Sequence, residues 1–351
     1  MICLTPVIAS REKTSMVVNL LLQTRKRISV FHTFSLAVLT AFSVTHTQIV
    51  NAQTFPSKPI KLVIPFPAGG GADYLGREIG HKLSEALNQP VIIENKTGAA
   101  GIVGTTAVAR APADGYTLLI GTTGTHSSNP ASYENLSYDP QKDFEAVSIF
   151  GYGPFVLCVN AGYPIESIRD LISYSKLNRD KLTYGSAGIG SSTHLGFEQL
   201  KQQAGLEIRH VPYKGLPSAM LDTLGGHVAM TFDSIPSALQ NIHSKKIRII
   251  GIGSAKRSNL LPGVPTIGET VPGYTLGSWY GVFAPANTPK EVVWRLNAEI
   301  NKILKSKESS TKLESVGAST LILNPDEART YLDDDIKRWR KVAQELNIRI
   351  Q

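Results

Sequence analysis

From Ile60 onward, short apolar runs alternate with stretches whose apolar residues recur every three or four positions. IKLVIPF, PVIIENK and GYTLLIGT have the length and β-branched content of buried strands. Between the first two, Leu75, Ile79, Leu83 and Leu87 fall at fourfold spacing and form one apolar stripe of a helix. AAGIVGTTAVARA reads as a second helix, built of small residues that allow close packing. The order βαβαβ predicts a parallel sheet with helices on both faces.

A second such set begins after FGYGPFVLCVN. It contains a helix around IESIRDLISYSK, the strand KLTYGSA, and the helix STHLGFEQLKQQAG, closed by Gly205 as a C-cap. The strand IRHVPY follows, then the short helix PSAMLDTLGG with Pro217 in its first turn, and then HVAMTFD, a helix from IPSALQNI, and KIRIIGIGS. GSWYGVFAP matches FGYGPFVLCV in kind, so two extended crossings bracket the middle set. Thr288-Pro289-Lys290-Glu291 and Asn324-Pro325-Asp326-Glu327 have the spacing of capping boxes and start two closing helices, expected to fold back on the first lobe. The pattern therefore predicts an α/β protein of two β/α lobes joined by two crossing strands, a hinged clamp. The divisions are 53–154 and 278–351 for the first lobe and 155–277 for the second.

The first fifty residues depart from this pattern. Arg25, Lys26 and Arg27 precede an apolar stretch richest from Ser35 to Val44, and Val50 and Ala52 occupy the small-residue positions of a signal-peptidase site. A basic segment, a short apolar segment and a small-x-small site make an export signal over residues 1–52. The polar run Thr45-His46-Thr47-Gln48 breaks the apolar stretch well short of the roughly 20 residues of a membrane span. The stretch before Arg25 is long for such a signal, and Met16 is an alternative start. Removing 1–52 takes away five cations and one anion, which lowers the net charge from +8 to +4 and weakens a nucleic-acid reading. Cys158 is then the one cysteine left, so no intramolecular disulfide is expected.

The loops at strand ends carry the candidate chemistry. In PAGGGAD the glycines lack the Lys-Ser/Thr ending of a P-loop and the G-x-G-x-x-G spacing of a dinucleotide site. What remains is either a tight turn or a helix N-terminus whose free N–H groups hold an anion. TYGSAGIGSSTHL repeats the plan in the second lobe, and Thr122 and Asp233 end two further strands. Ligands of open α/β sheets bind beyond the carboxyl ends of the strands, so two helix starts facing across a cleft would hold two anionic groups, or one anion and one polar group. There is no G-x-S-x-G and no H-E-x-x-H. His126, His194, His210 and His227 are too scattered for a metal site, Cys158 sits in an apolar run, and Asp333-Asp334-Asp335 reads as a solvated helix face.

Taken together, PSKPIKLVIPFPAGGGAD, VIIENKTGAAGIVGTTAVARAPADGYTLLIGTTGTHSSNP, YDPQKDFEAV, LTYGSAGIGSSTHL, HVPYKGLPSAMLDTLGGHVAMTFDSIPSAL and LPGVPTIGETVPGY resemble the Bug family, the substrate-binding proteins of tripartite tricarboxylate transporters. The likeness runs from about Pro56 to the C-terminus. It implies a monomeric periplasmic receptor with the type II periplasmic-binding-protein fold, a Venus flytrap with no cofactor and no bound nucleic acid. Its partners would be a small carboxylate and the inner-membrane subunits of the transporter. Carried over by position, it nominates Phe66, Ala68, Gly69, Gly70 and Asp73 of the first loop. From the second it nominates Ser186, Gly188, Ser191, Ser192 and Thr193, and Thr122 and Asp233 match positions near the cleft. Asp233 would meet an ammonium or hydroxyl of the ligand, or cap its own helix. Thr97-Gly98 stands where the family usually has Pro-Gly, and Ala229 where many members carry Asp; neither touches the nominated loops. The rival functions are an exported α/β enzyme acting on a small acid, and a periplasmic sensor subunit for a signalling kinase.

Overall fold

The computed structural model describes residues 55–179 and 181–351; the expected signal segment, 1–52, lies outside the described residues. Strands β1 (Ile60–Ile64), β2 (Val91–Asn95) and β3 (Thr117–Thr122) are parallel in the order β2-β1-β3. They are linked through helices α1 (Gly71–Leu87) and α2 (Ile102–Ala109). Leu75, Ile79, Leu83 and Leu87 of α1 are all buried, as their spacing requires.

The sheet as a whole is mixed rather than parallel. Strand β9 (Gly277–Pro285) runs antiparallel between β3 and the long strand β4 (Phe144–Asn160). Strand direction therefore reverses at β9, where the chain crosses back between the lobes instead of returning through a helix. Strand β4 is shared: residues 144–154 pair with β9, and residues 155–160 pair with β7 (Met230–Ser234) and β8 (Ile247–Ile252). Beyond β7 lie the parallel strands β5 (Thr183–Ser186) and β6 (Arg209–Pro212).

Period-two alternation on β4 divides the second lobe into two cores. Phe155, Leu157 and Val159 face one cluster with Leu171 of α4 (Ile168–Leu177) and Phe197 of α5 (Ser192–Ala204). Val156 and Cys158 face the other, with Met220 of α6 (Leu216–Gly225) and Ala238 of α7 (Ile235–Ile242). A four-residue helix, α3 (Asn129–Ser132), follows a π-helical turn after β3. The first lobe is closed by α8 (Lys290–Lys305), α9 (Lys307–Glu314), the short strand β10 (Ser319–Thr320) and α10 (Pro325–Glu345).

Helix α10 spans both lobes. Ala328, Leu332 and Ile336 join a core of the first lobe, whereas Trp339, Val342 and Ala343 join the core of the second. The sequence pattern assigns all of 278–351 to the first lobe, and the last turns of α10 also pack on the second. At the start of α10, Asn324 and Glu327 form the expected reciprocal capping box. Thr288 does not: its hydroxyl donates to Pro285 O at the end of β9, and α8 begins after Pro289 with no side-chain cap. Nor is the Asp333–Asp335 run simply solvated. Asp335 accepts a 2.7 Å bond from Trp279 Nε1 on β9, and Asp333 accepts from Gln141 Nε2 at 2.7 Å.

Candidate functional site

The first glycine loop leaves β1 and turns into α1 with Gly69 at φ +88°, a left-handed conformation that glycine adopts at little cost. Gly70 follows in an extended conformation as the N-cap of α1 and provides no side-chain cap. The N–H groups of the first turn are consequently left facing outward. Asp73 braces the loop from behind. Its carboxylate accepts from Gly69 N–H (3.1 Å), Asn95 Nδ2 (2.8 Å) and Arg77 Nε (2.9 Å). Burial pushes this carboxyl up, but the bonds from Arg77, Asn95 and Gly69 outweigh it and hold the group below the usual carboxylate range.

The second loop is self-bonded in the same way. Ser186 Oγ accepts from Gly188 N–H (3.1 Å) and lies 2.6 Å from His210 Nε2. Ser191 caps α5 by accepting from His194 N–H (3.3 Å), and its hydroxyl donates to Gly188 O (2.7 Å). Thr193 Oγ1 accepts from Ala187 N–H, and His194 Nδ1 accepts from Gly190 N–H. The rings of His194 and His210 stack 4.1 Å apart. Burial lowers His194 to about 4 and His210 to about 3, so both rings are neutral at ordinary pH.

After β3 the chain enters the π-helical turn at Gly124–Ser128, an uncommon geometry that recurs near functional sites. Thr122 and Thr125 bond each other reciprocally, and Thr123 Oγ1 accepts from Trp279 N–H, which ties this loop to the crossing strand β9.

The three loops and the two crossings enclose a cleft. From the first lobe, Phe66, Gly70, Gly71, Ala72, Thr122 and Gly124 line it. Ala187, Ser191, Ser192, Thr193, Leu216 and Pro217 line it from the second, and Phe155, Ser278 and Tyr280 from the crossings. Apart from the Tyr280 phenol, which burial pushes up, no lining residue is ionisable. The uncapped start of α1 and the start of α5 reach this cleft from opposite lobes, and each presents the positive end of a helix dipole.

Of the sequence candidates, Phe66, Gly70, Thr122, Ser191, Ser192 and Thr193 are brought together at the cleft wall. Ala68, Gly69, Asp73, Ser186, Gly188 and Asp233 are not on it. Asp73 and Ser186 shape their own loops. Asp233 is fully buried, and its two oxygens accept from Ser234 N–H (2.7 Å) and Ser237 Oγ (2.6 Å) at the start of α7. Burial raises it to about 6 despite those bonds. Both oxygens are thus occupied at the helix start, where Ser234 is the N-cap and has no side-chain cap of its own. Leu216, Pro217, Phe155 and Tyr280 were missed as lining residues. Pro217 sits in the first turn of a helix that follows a strand, and that signal could have found it. Among the described residues no cluster of His, Cys, Asp or Glu could hold a metal ion.

Two β/α lobes meeting over one cleft beyond the strand ends make this a two-lobed periplasmic-binding-protein fold. Residues 75–348 match the Tripartite tricarboxylate transporter family receptor, and the chain belongs to that family. Its relatives include the "UPF0065 protein in tcbD-tcbE intergenic region" of Pseudomonas sp. strain P51, 38% identical over 88% of this chain and 92% of that one. Protein BugT of Bordetella pertussis is 34% identical over 86% and 93%. Among solved structures, R. palustris Rpa4515 with adipate superposes with a TM-score of 0.82 at 38% identity, covering 84% of this chain and 99% of that one. The periplasmic binding protein BugD gives 0.81 at 33% identity, over 85% and 100%. MatC (Rpa3494) from Rhodopseudomonas palustris with bound malate gives 0.76 at 32%, over 82% and 99%. Among the described residues no helix is long and apolar enough to cross a membrane.

Proposed function

We propose that the protein is a periplasmic receptor that captures a small carboxylate between its lobes and delivers it to the membrane subunits of a tripartite transporter. The observation that carries this reading is the meeting of two helix N-termini, α1 and α5, in a cleft whose lining holds no charged side chain. Backbone N–H groups and aligned peptide dipoles are suited to a carboxylate without any lysine or arginine. Relatives solved with adipate and malate support the ligand class. The basic, apolar and small-x-small pattern of residues 1–52, read as an export signal, supports the compartment. The family is one of receptors, and the lining pairs no nucleophile with an acid–base partner, which favours capture over catalysis.

In this reading Phe66, Gly70, Thr122 and Ser191–Thr193 contact the ligand, and Ala68, Gly69, Asp73, Ser186, Gly188 and Asp233 set the shape of the loops. Ligand binding draws the lobes together, and the membrane partner reads the closed shape. Native mass spectrometry of the purified protein, followed by calorimetric titration with a carboxylate panel, tests the proposal. Saturable heat with at least one small carboxylate is expected. Silence across mono-, di- and tricarboxylates, with no thermal shift, would reopen the enzyme reading.

A further inference from the structure

Most hydroxyl groups on the cleft wall are already engaged by the protein. Ser191 Oγ donates to Gly188 O and accepts from His194 N–H. Thr193 Oγ1 accepts from Ala187 N–H, and Thr122 Oγ1 accepts from Thr125 N–H. Ser278 Oγ donates to Trp279 O at 2.9 Å and also bonds the Tyr280 phenol. These bonds hold the loops in shape and leave few free hydroxyl groups on the wall: Ser192 takes no part in them, and Thr122 keeps its O–H as a donor. The rest of the wall is hydrocarbon: Phe66, Ala72, Phe155, Ala187, Leu216 and Pro217. Phe155 and Ala72 are buried, so this surface faces the cleft and not bulk water.

Such a wall divides a ligand into two kinds of surface. Its charged ends meet backbone N–H groups at the starts of α1 and α5, and its body meets carbon. A hydroxyl on the body gives up hydrogen bonds to water and finds few to replace them, which is where binding sites discriminate most strongly. A methylene in the same place gains from leaving water.

Building on the receptor reading, we infer that this cleft selects carboxylates with a hydrocarbon body, aliphatic or aromatic, and rejects hydroxylated acids of the same length and charge. Two matched pairs test this by calorimetric titration of the purified protein. Adipate and galactarate share six carbons and two carboxylates but differ by hydroxyls; succinate and malate repeat the comparison at four carbons. Two desolvated, unpaired hydroxyls are enough to separate adipate from galactarate by at least about 100-fold in Kd. One hydroxyl separates succinate from malate by about tenfold. In each pair that binds, the unhydroxylated member binding tighter by those factors supports the inference. Equal affinities, or preference for the hydroxylated member, overturn it while leaving a carboxylate receptor intact. Binding of benzoate in the absence of all four supports a hydrocarbon body of aromatic form. No binding by any of the five overturns the inference, and the carboxylate reading falls with it only when the wider mono-, di- and tricarboxylate panel is silent as well.

Discussion

Pro67 and Gly215, the chain neighbours of the cleft residues Phe66 and Leu216, lie so close that a methyl group added to Gly215 would be 2.6 Å from Pro67 Cδ. Pro67 belongs to the first glycine loop and Gly215 to the start of α6 in the second lobe, so the clash exists where the lobes meet. Gly215 is extended (φ 160°, ψ 164°), a conformation open to any residue. Gly215→Ala should therefore fold normally and resist closure. Overpacking of this kind costs about 1–3 kcal/mol, which is roughly 5- to 150-fold in affinity. Pro67→Ala in the same chain should restore much of the loss. Titration of the single and double variants checks this, and unchanged affinity in Gly215→Ala would remove the contact from the closing motion.

Gly70 tests the anion cradle. Its backbone is ordinary for an L-residue, and a Cβ there would touch only Pro217 and Pro67 O at 3.7–3.9 Å. Gly70→Leu should leave the melting temperature near that of the parent. It puts a side chain where a carboxylate must approach the first turn of α1. Losing two charge-assisted hydrogen bonds, each about 1.5–3 kcal/mol, predicts at least a roughly 100-fold rise in Kd. Parent-like binding by a well-folded Gly70→Leu would remove this loop from the site.

Acid should weaken the second loop before the first. His194 and His210 are held at about 4 and about 3 by burial, below the ordinary 6.5. A histidine with a depressed folded pKa contributes stability that is full above its unfolded pKa and falls as pH drops toward the folded value. The window is therefore pH 6.5 down to about 4. Glu198, which raises His194, and Lys201, which lowers both, face the same stack along with the Tyr184 ring. The Asp73 carboxyl of the first loop is held below its ordinary value by Arg77, Asn95 and Gly69 in spite of burial, so its protonation does not begin where that of the histidines does. Thermal melts across pH 7 to 4 should show a falling Tm that is flatter in His194→Gln/His210→Gln. Equal pH slopes in the two proteins would assign the acid sensitivity elsewhere.

The apolar pattern revealed the lobes because each strand and helix buries one face locally. Leu75, Ile79, Leu83 and Leu87 are the clearest case. Sheet direction was less legible, since pairing of β9 with β3 and β4 depends on contacts far apart in sequence. The cleft was half legible for a related reason. Glycines and Ser-Thr clusters at helix starts advertise backbone chemistry, and Gly70 and Ser191–Thr193 do line it. Tyr280 and Phe155 sit on crossing strands that read as core, and only the meeting of two lobes turns their faces into a wall. Asp73 shows the converse: a carboxylate beside a glycine-rich helix start invites a ligand role, yet its oxygens are occupied by Gly69, Asn95 and Arg77.

Asp335 carries the last prediction, at the point where α10 passes from one lobe to the other. Its Oδ2 accepts from Trp279 Nε1 at 2.7 Å and its Oδ1 from Arg338 at 2.8–2.9 Å, with the side chain only 9% exposed. Trp279 is itself buried on the crossing strand β9. Asp335→Ala strands a buried indole N–H, which costs about 1–3 kcal/mol. Asp335→Asn keeps an acceptor for that N–H and should recover most of the loss, although it gives up the charge shared with Arg338. Chemical denaturation of the three proteins measures both steps. If Asp335→Asn is as unstable as Asp335→Ala, the ion pair with Arg338 holds the helix and the indole bond is secondary. A parent-like Asp335→Ala would mean that α10 is fastened across the lobes by Trp339 and its apolar neighbours alone.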